Sequence, residues 1–152
     1  MHIQIKRQIQ APANQLWAYL ADYSNIHRFH PLLTGSHFVE GTQSGEIGSK
    51  RQCDFRSGDF LKEEVTDWQE GSHYTVHIYD TSMPICSAQA TLGIRPLGDQ
   101  ETEAFMHIQL EAKHPLLAPL LYLNFRYFAG PGILRGLEQL YREETAAQVA
   151  AP

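Results

Sequence analysis

Between residues 35 and 112 the chain runs in stretches of roughly ten residues, each closed by a turn signal. The breaks fall at Gly41 to Gly48, at RSGD (56–59), QEGS (69–72), SMP (82–84) and PLGDQ (96–100). Within the stretches apolar residues recur every second position: Ala88, Ala90, Leu92 and Ile94 in one, Ala104, Met106, Ile108 and Leu110 in another. A period of two puts alternate side chains on opposite faces of a sheet. Gly58-Asp59 and Glu70-Gly71 have hairpin composition, so successive strands are expected to be antiparallel neighbours.

The flanks read differently. Ile3, Ile5 and Ile9 mark one more half-buried strand over residues 2–9. In APANQLWAYLAD, Pro12 suits a first helical position, and Ala13, Leu16, Trp17 and Leu20 share one helical face. Ser24 offers an N-cap for a further short turn that Pro31 ends. Near the C-terminus Ile133, Leu134, Leu137, Leu140 and Tyr141 line one face of a helix, with Arg135, Glu138, Arg142 and Glu143 opposite. The apolar stretch 116–128 before GPG (130–132) is either the first half of a kinked long helix or a lid. The order is therefore strand, two short helices, about six antiparallel strands, and a long helix. One curved sheet with one large helix across its concave face leaves space for a ligand cavity.

A chain of 152 residues with 43% hydrophobic and 19% charged residues fits one ordinary globular domain. The net charge of −5 argues against a nucleic-acid partner and against docking on anionic lipid by charge alone. The start, MHIQIKRQIQ, lacks the apolar run of a signal peptide, and PLLAPLLYLNF (115–125) is too short to span a bilayer. A cytoplasmic location is the expectation, with Cys53 and Cys86 reduced and buried.

Three segments, I..PANQLWAYLADYSNIHRFHP, G.I.GSKRQCDF.SGDFLKEEVTDWQEG..Y.V.IYDTSMP and the C-terminal amphipathic helix, resemble the START-like (SRPBCC) superfamily with the helix-grip fold. Within it the likeness is to the polyketide cyclase/dehydrase branch. It covers residues 1–146, read as a single domain, with 147–152 as a flexible tail. The resemblance implies an α+β fold in which six or seven curved antiparallel strands wrap around a long C-terminal helix. It also implies an apolar cavity between sheet and helix, with the segment 116–128 over it and the short turn around His27 near its mouth. Lipid carriers, hormone receptors and aromatase/cyclases share this fold, so the fold does not fix the chemistry.

Strand alternation selects the residues that face inward. Arg51, Cys53 and Phe55 oppose Lys50, Gln52, Asp54 and Arg56; Leu61, Glu63 and Val65 form the apolar side of the next strand, leaving Glu64 in water. Arg51 and Glu63 then sit on adjacent strands, where a buried ion pair either closes part of the cavity or anchors the polar end of a ligand. Glu63 is also the candidate for acid–base work. Tyr74, Val76 and Ile78 face inward on the following strand, with Asp80 continuing that set at the rim. Met106, Asn124 and Phe128 complete the expected lining. His27, Phe29 and His30 are read as the cavity rim. Two histidines at i, i+3 without a third ligand, and without HExxH or CxxC, are not a metal site. GxxxxGK[ST], GxSxG and GxGxxG are absent. No metal or other cofactor is expected.

The expected function is binding of a small, mainly apolar molecule (lipid-, polyketide- or aromatic-like) by a monomer or homodimer, with Arg51→Ala weakening ligand binding at modest cost to the fold. Two other readings stay open. One is a cyclase or dehydratase, disfavoured because no strand histidine points inward. The other is a lipid-shuttling or interaction module whose 116–128 stretch makes transient contact with a membrane or partner.

Overall fold

The computed structural model describes residues 1–39, 41 and 45–151. Seven antiparallel strands form one sheet in the order β1-β7-β6-β5-β4-β3-β2. They are β1 (His2–Ile9), β2 (Leu33–Phe38), β3 (Lys50–Phe55), β4 (Phe60–Gln69), β5 (His73–Thr81), β6 (Ile85–Gly98) and β7 (Glu101–Ala112). Helix α1 (Ala13–Ala21) and a 3-10 turn (Tyr23–Arg28) connect β1 to β2. The turn expected over Gly41–Gly48 lies partly outside the described residues. Gly58 and Gly71 take positive φ in the β3–β4 and β4–β5 hairpins, a backbone region that favours glycine.

The core follows the period-two pattern. Ile3, Ile5 and Ile9, Leu61 and Val65, Ala88, Leu92 and Ile94, and Met106, Ile108 and Leu110 are all buried. Leu16, Trp17 and Leu20 of α1 close one end. Trp17 and Trp68 meet edge to face at 5.6 Å, and both indole Nε1–H groups donate to Glu70 at 2.8 Å. This fastens α1 to the β4–β5 turn. Ser24 does not cap the 3-10 turn; its carbonyl instead accepts from Ser36 Oγ at 2.7 Å.

The C-terminal part is one unbroken helical path. Helix α2 (Ala118–Asn124) passes through a π turn (Phe125–Ala129) into α3 (Gly130–Ala150), with αR backbone angles at each junction. Pro131 has no N–H to give to residue 127, and its ring crowds that carbonyl. The wider turn at 125–129 accommodates it without ending the helix. The helix also continues to Ala150, so residues 147–150 are helical where a tail was expected from 147. Ile133, Leu134, Leu137 and Leu140 are buried. Glu138, expected on the wet face, is buried too: it accepts from Arg7 at 2.8 Å and lies 3.8 Å from Arg142, tying α3 to β1.

Two glycines set how closely α3 seats. A Cβ at Gly130 would run into the Ile5 side chain, and one at Gly136 into the backbone carbonyl of Phe29. Both cysteines are free, but only Cys53 is buried; Cys86 on β6 is exposed, because a bulge between Ile85 and Ser87 breaks the alternation and leaves Ile85 and Ala88 as the inward residues.

Candidate functional site

Between the concave face of the sheet and the α2–α3 helix lies a cavity of about 230 Å³. Its walls are mostly aliphatic: Leu61, Ile78, Ile85, Ala88, Leu92, Met106, Ile108 and Leu110 from the sheet, and Leu121, Phe125, Ala129 and Ile133 from the helix. The polar exceptions are Arg51, Glu63, His30, Ser57 and Asn124.

Of the residues expected to line it, Arg51, Phe55, Glu63, Ile78, Met106 and Asn124 do so. Cys53, Tyr74 and Val76 face inward and are buried, yet lie behind the wall rather than on it. Phe128 is corrected outright: it is 68% exposed and outside the cavity, and Leu121 and Phe125 join Asn124 on the wall in its place. Both faces of 116–128 are apolar, so the sequence carries no amphipathic signal to choose between them. Of the expected rim, His30 is part of the cavity wall. Phe29 is buried and touches α3, while His27 bonds through Nδ1 to Ser36 Oγ at 2.8 Å; neither lines the cavity. Asp80 is exposed and 3.7 Å from Lys62, because a bulge consumes Tyr79 and turns the strand end over.

The polar end centres on Arg51, which is 1% exposed. Arg51 pairs directly with Glu63 across β3 and β4. Its Nη2 donates to Glu63 Oε2 at 3.1 Å, and its Nη1 donates to the Tyr23 carbonyl at 2.8 Å and to Tyr74 Oη at 3.4 Å. The guanidinium lies 4.0 Å from the Tyr23 ring centroid and 5.6 Å from that of Tyr74. Trp68 stacks on Tyr74 at 5.3 Å and 12°, completing an aromatic cage. Burial alone would lower the Arg51 pKa, but Glu63, Tyr74 and Tyr23 outweigh it and the guanidinium stays charged. Burial, and then Glu63, pushes the Cys53 thiol up to about 12, so it is a donor to Glu63 Oε1 (3.8 Å) and not a nucleophile.

One buried N–H group of the site remains without a partner. Arg51 Nε is buried with no acceptor among the described residues. His30 Nδ1 accepts the Leu32 backbone N–H at 3.3 Å, which places its proton on Nε2. The ring packs edge-on against Phe55 at 5.8 Å. Burial, and then the Arg51 charge, pushes the His30 pKa down to about 4. A histidine whose folded pKa lies below its unfolded value loses stability as pH falls, because the unfolded chain takes up the proton first. The contribution is complete above about pH 6.5 and declines towards pH 4, at up to about 1.4 kcal/mol per pH unit. His30→Phe should flatten that limb in urea unfolding followed from pH 4 to 7; an unchanged slope would show that His30 is solvated.

Seven strands gripping one long helix over an apolar cavity define the helix-grip class. The chain belongs to the polyketide cyclase / dehydrase and lipid transport family, whose model it matches over residues 1–143. Among solved structures it is similar to a START superfamily protein from Mycobacterium smegmatis (TM-score 0.74, 15% identity, 91% of this chain and 94% of that one). A protein from Thermobifida fusca gives TM-score 0.76 at 23% identity, over 93% of each chain. The di-domain ARO/CYC BexL of the BE-7585A biosynthetic pathway gives 0.74 at 13% identity, over 93% of this chain and 46% of that one. No curated protein matches it in sequence.

Proposed function

We propose that the protein binds a small, mainly apolar ring compound whose polar end is an uncharged oxygen. The observation that carries this reading is the Arg51–Glu63 pair at the polar end of an otherwise aliphatic cavity. The pair is already neutral as a unit. A ligand carboxylate would bring a second negative charge beside Glu63 in a site with little water to screen it. A carbonyl or phenol oxygen would instead satisfy the Arg51 Nε–H, which now lacks a partner, and can also accept from His30 on the cavity wall. The volume supports one or two rings: at about 30 Å³ per water it equals roughly eight waters.

The experiment is calorimetric titration with 1-naphthol and 1-naphthoate. Naphthol should bind, and naphthoate should bind at least about tenfold more weakly. Tighter naphthoate binding would overturn the uncharged-oxygen reading. Binding of neither would count against the ring-compound reading itself.

A cyclase or dehydratase has less support. Both Glu63 oxygens already accept hydrogen bonds, and His30 with a pKa of about 4 is a poor base at neutral pH.

A further inference from the structure

The segment that covers the cavity is apolar on both sides. Leu121, Phe125 and Ala129 face inward, while Leu116, Leu120, Leu123, Tyr127 and Phe128 point outward and are between 49% and 93% exposed. Leu116, Leu120, Leu123 and Tyr127 recur at i, i+4, i+7 and i+11, which places them along one side of the helical path. An uninterrupted apolar stripe of this kind on a chain of −5 net charge calls for a partner.

The charges around it point to one occupant. From residue 112 to residue 137 there is no Asp or Glu, while Lys113, Arg126 and Arg135 are present. Arg126 has no carboxylate partner among the described residues; its guanidinium lies 5.5 Å from the Tyr127 ring. It lines a surface groove with Lys6 and Arg7, whose charges are met by Glu103 (4.0 Å) and Glu138 (2.8 Å). A second copy docked on the same face would set two cation-only segments against each other with no acid between them. A bilayer bearing anionic headgroups instead receives the leucines in its interfacial region, the tyrosines at headgroup level and Arg126 against phosphate.

We propose that the outer face of residues 116–128 docks the protein on an anionic lipid bilayer, so that the helix covering the cavity lies on the membrane. The net negative charge opposes this at long range, but it lies outside the docking segment, and insertion of apolar side chains supplies most of the affinity. The proposal goes beyond ligand binding and can fail independently of it.

The test is co-sedimentation with phosphatidylcholine–phosphatidylglycerol vesicles and with pure phosphatidylcholine vesicles. The wild-type chain should pellet with the mixed vesicles, and less as salt is raised. Leu120→Asp/Leu123→Asp, at two exposed positions that do not line the cavity, should lower the vesicle affinity at least about tenfold. Arg126→Gln should lower affinity for the mixed vesicles about fivefold and leave the weak phosphatidylcholine binding unchanged. Titration with 1-naphthol controls for the fold and the cavity. A double variant that still binds naphthol but not vesicles supports the proposal. Absence of wild-type pelleting, pelleting indifferent to both variants, or a sedimentation-velocity dimer that the double variant dissociates would each overturn it.

Discussion

Replacing Arg51 by methionine should cost the fold about 3–5 kcal/mol, because it strands Glu63 as a buried charge without a partner. The Tyr23 carbonyl loses its 2.8 Å donor, and the Tyr23 and Tyr74 rings lose the cation between them. A domain of this size has about 5–15 kcal/mol in total, so one substitution would remove a large part of it. That is far more than the modest loss expected from the sequence, where the pairing of Arg51 with Glu63 was legible but its contacts with Tyr23 and Tyr74 were not. Urea unfolding of Arg51→Met measures the cost, and Arg51→Met/Glu63→Met measures the recovery. Removing both charges should restore most of the loss, since packed apolar side chains replace a buried pair with little penalty. A single-variant cost under about 1 kcal/mol would place the pair among weakly contributing exposed ones and contradict its burial.

Gly136→Ala should also destabilise, by about 2 kcal/mol or more. Helix propensity alone predicts a gain of roughly 1 kcal/mol from exchanging a mid-helix glycine for alanine. The new methyl would run into the Phe29 carbonyl oxygen, which belongs to backbone and cannot rotate aside. The helix must then lift from the turn that carries His30, and both the Phe29 contact and the cavity wall loosen. Thermal melting compared with Gly132→Ala separates the two effects. At Gly132 a Cβ would meet only the Pro31 ring, at 3.2 Å, so that variant should cost much less. Equal melting temperatures for the two variants would mean that the close approach at Gly136 relaxes without penalty.

The sheet was legible because its strands keep strict alternation where the site lies. Leu61, Glu63 and Val65 are consecutive alternate positions with no bulge between them on their own strand, and Arg51, Cys53 and Phe55 likewise. Two bulges, one on each of β4 and β5, escaped detection. The one consuming Tyr79 sends Asp80 outward. The one at Thr66 brings Trp68 inward onto Tyr74, so a principal member of the cage was missed. Nothing in TDWQEG signals an extra residue. Leu121 and Phe125 were missed for a different reason: where a helix has solvent on one side and a cavity on the other, and both sides are apolar, periodicity is silent. His30 was placed at the rim because the family resemblance puts the short turn before it near the cavity mouth; the tertiary fold carries it into the wall.

The shared hold of Trp17 and Trp68 on Glu70 has an optical consequence. These are the chain's only tryptophans, and they stand together in one corner. Intrinsic fluorescence therefore reports a single place, the junction of α1 with the β4–β5 turn, and reaches the Arg51 cage through the Trp68–Tyr74 stack. The far end of the cavity, walled by Ile85, Leu110 and Leu121, has no indole near enough to sense it. Emission that stays native while that end opens would be a property of where the chromophores sit and would say nothing about the integrity of the lid.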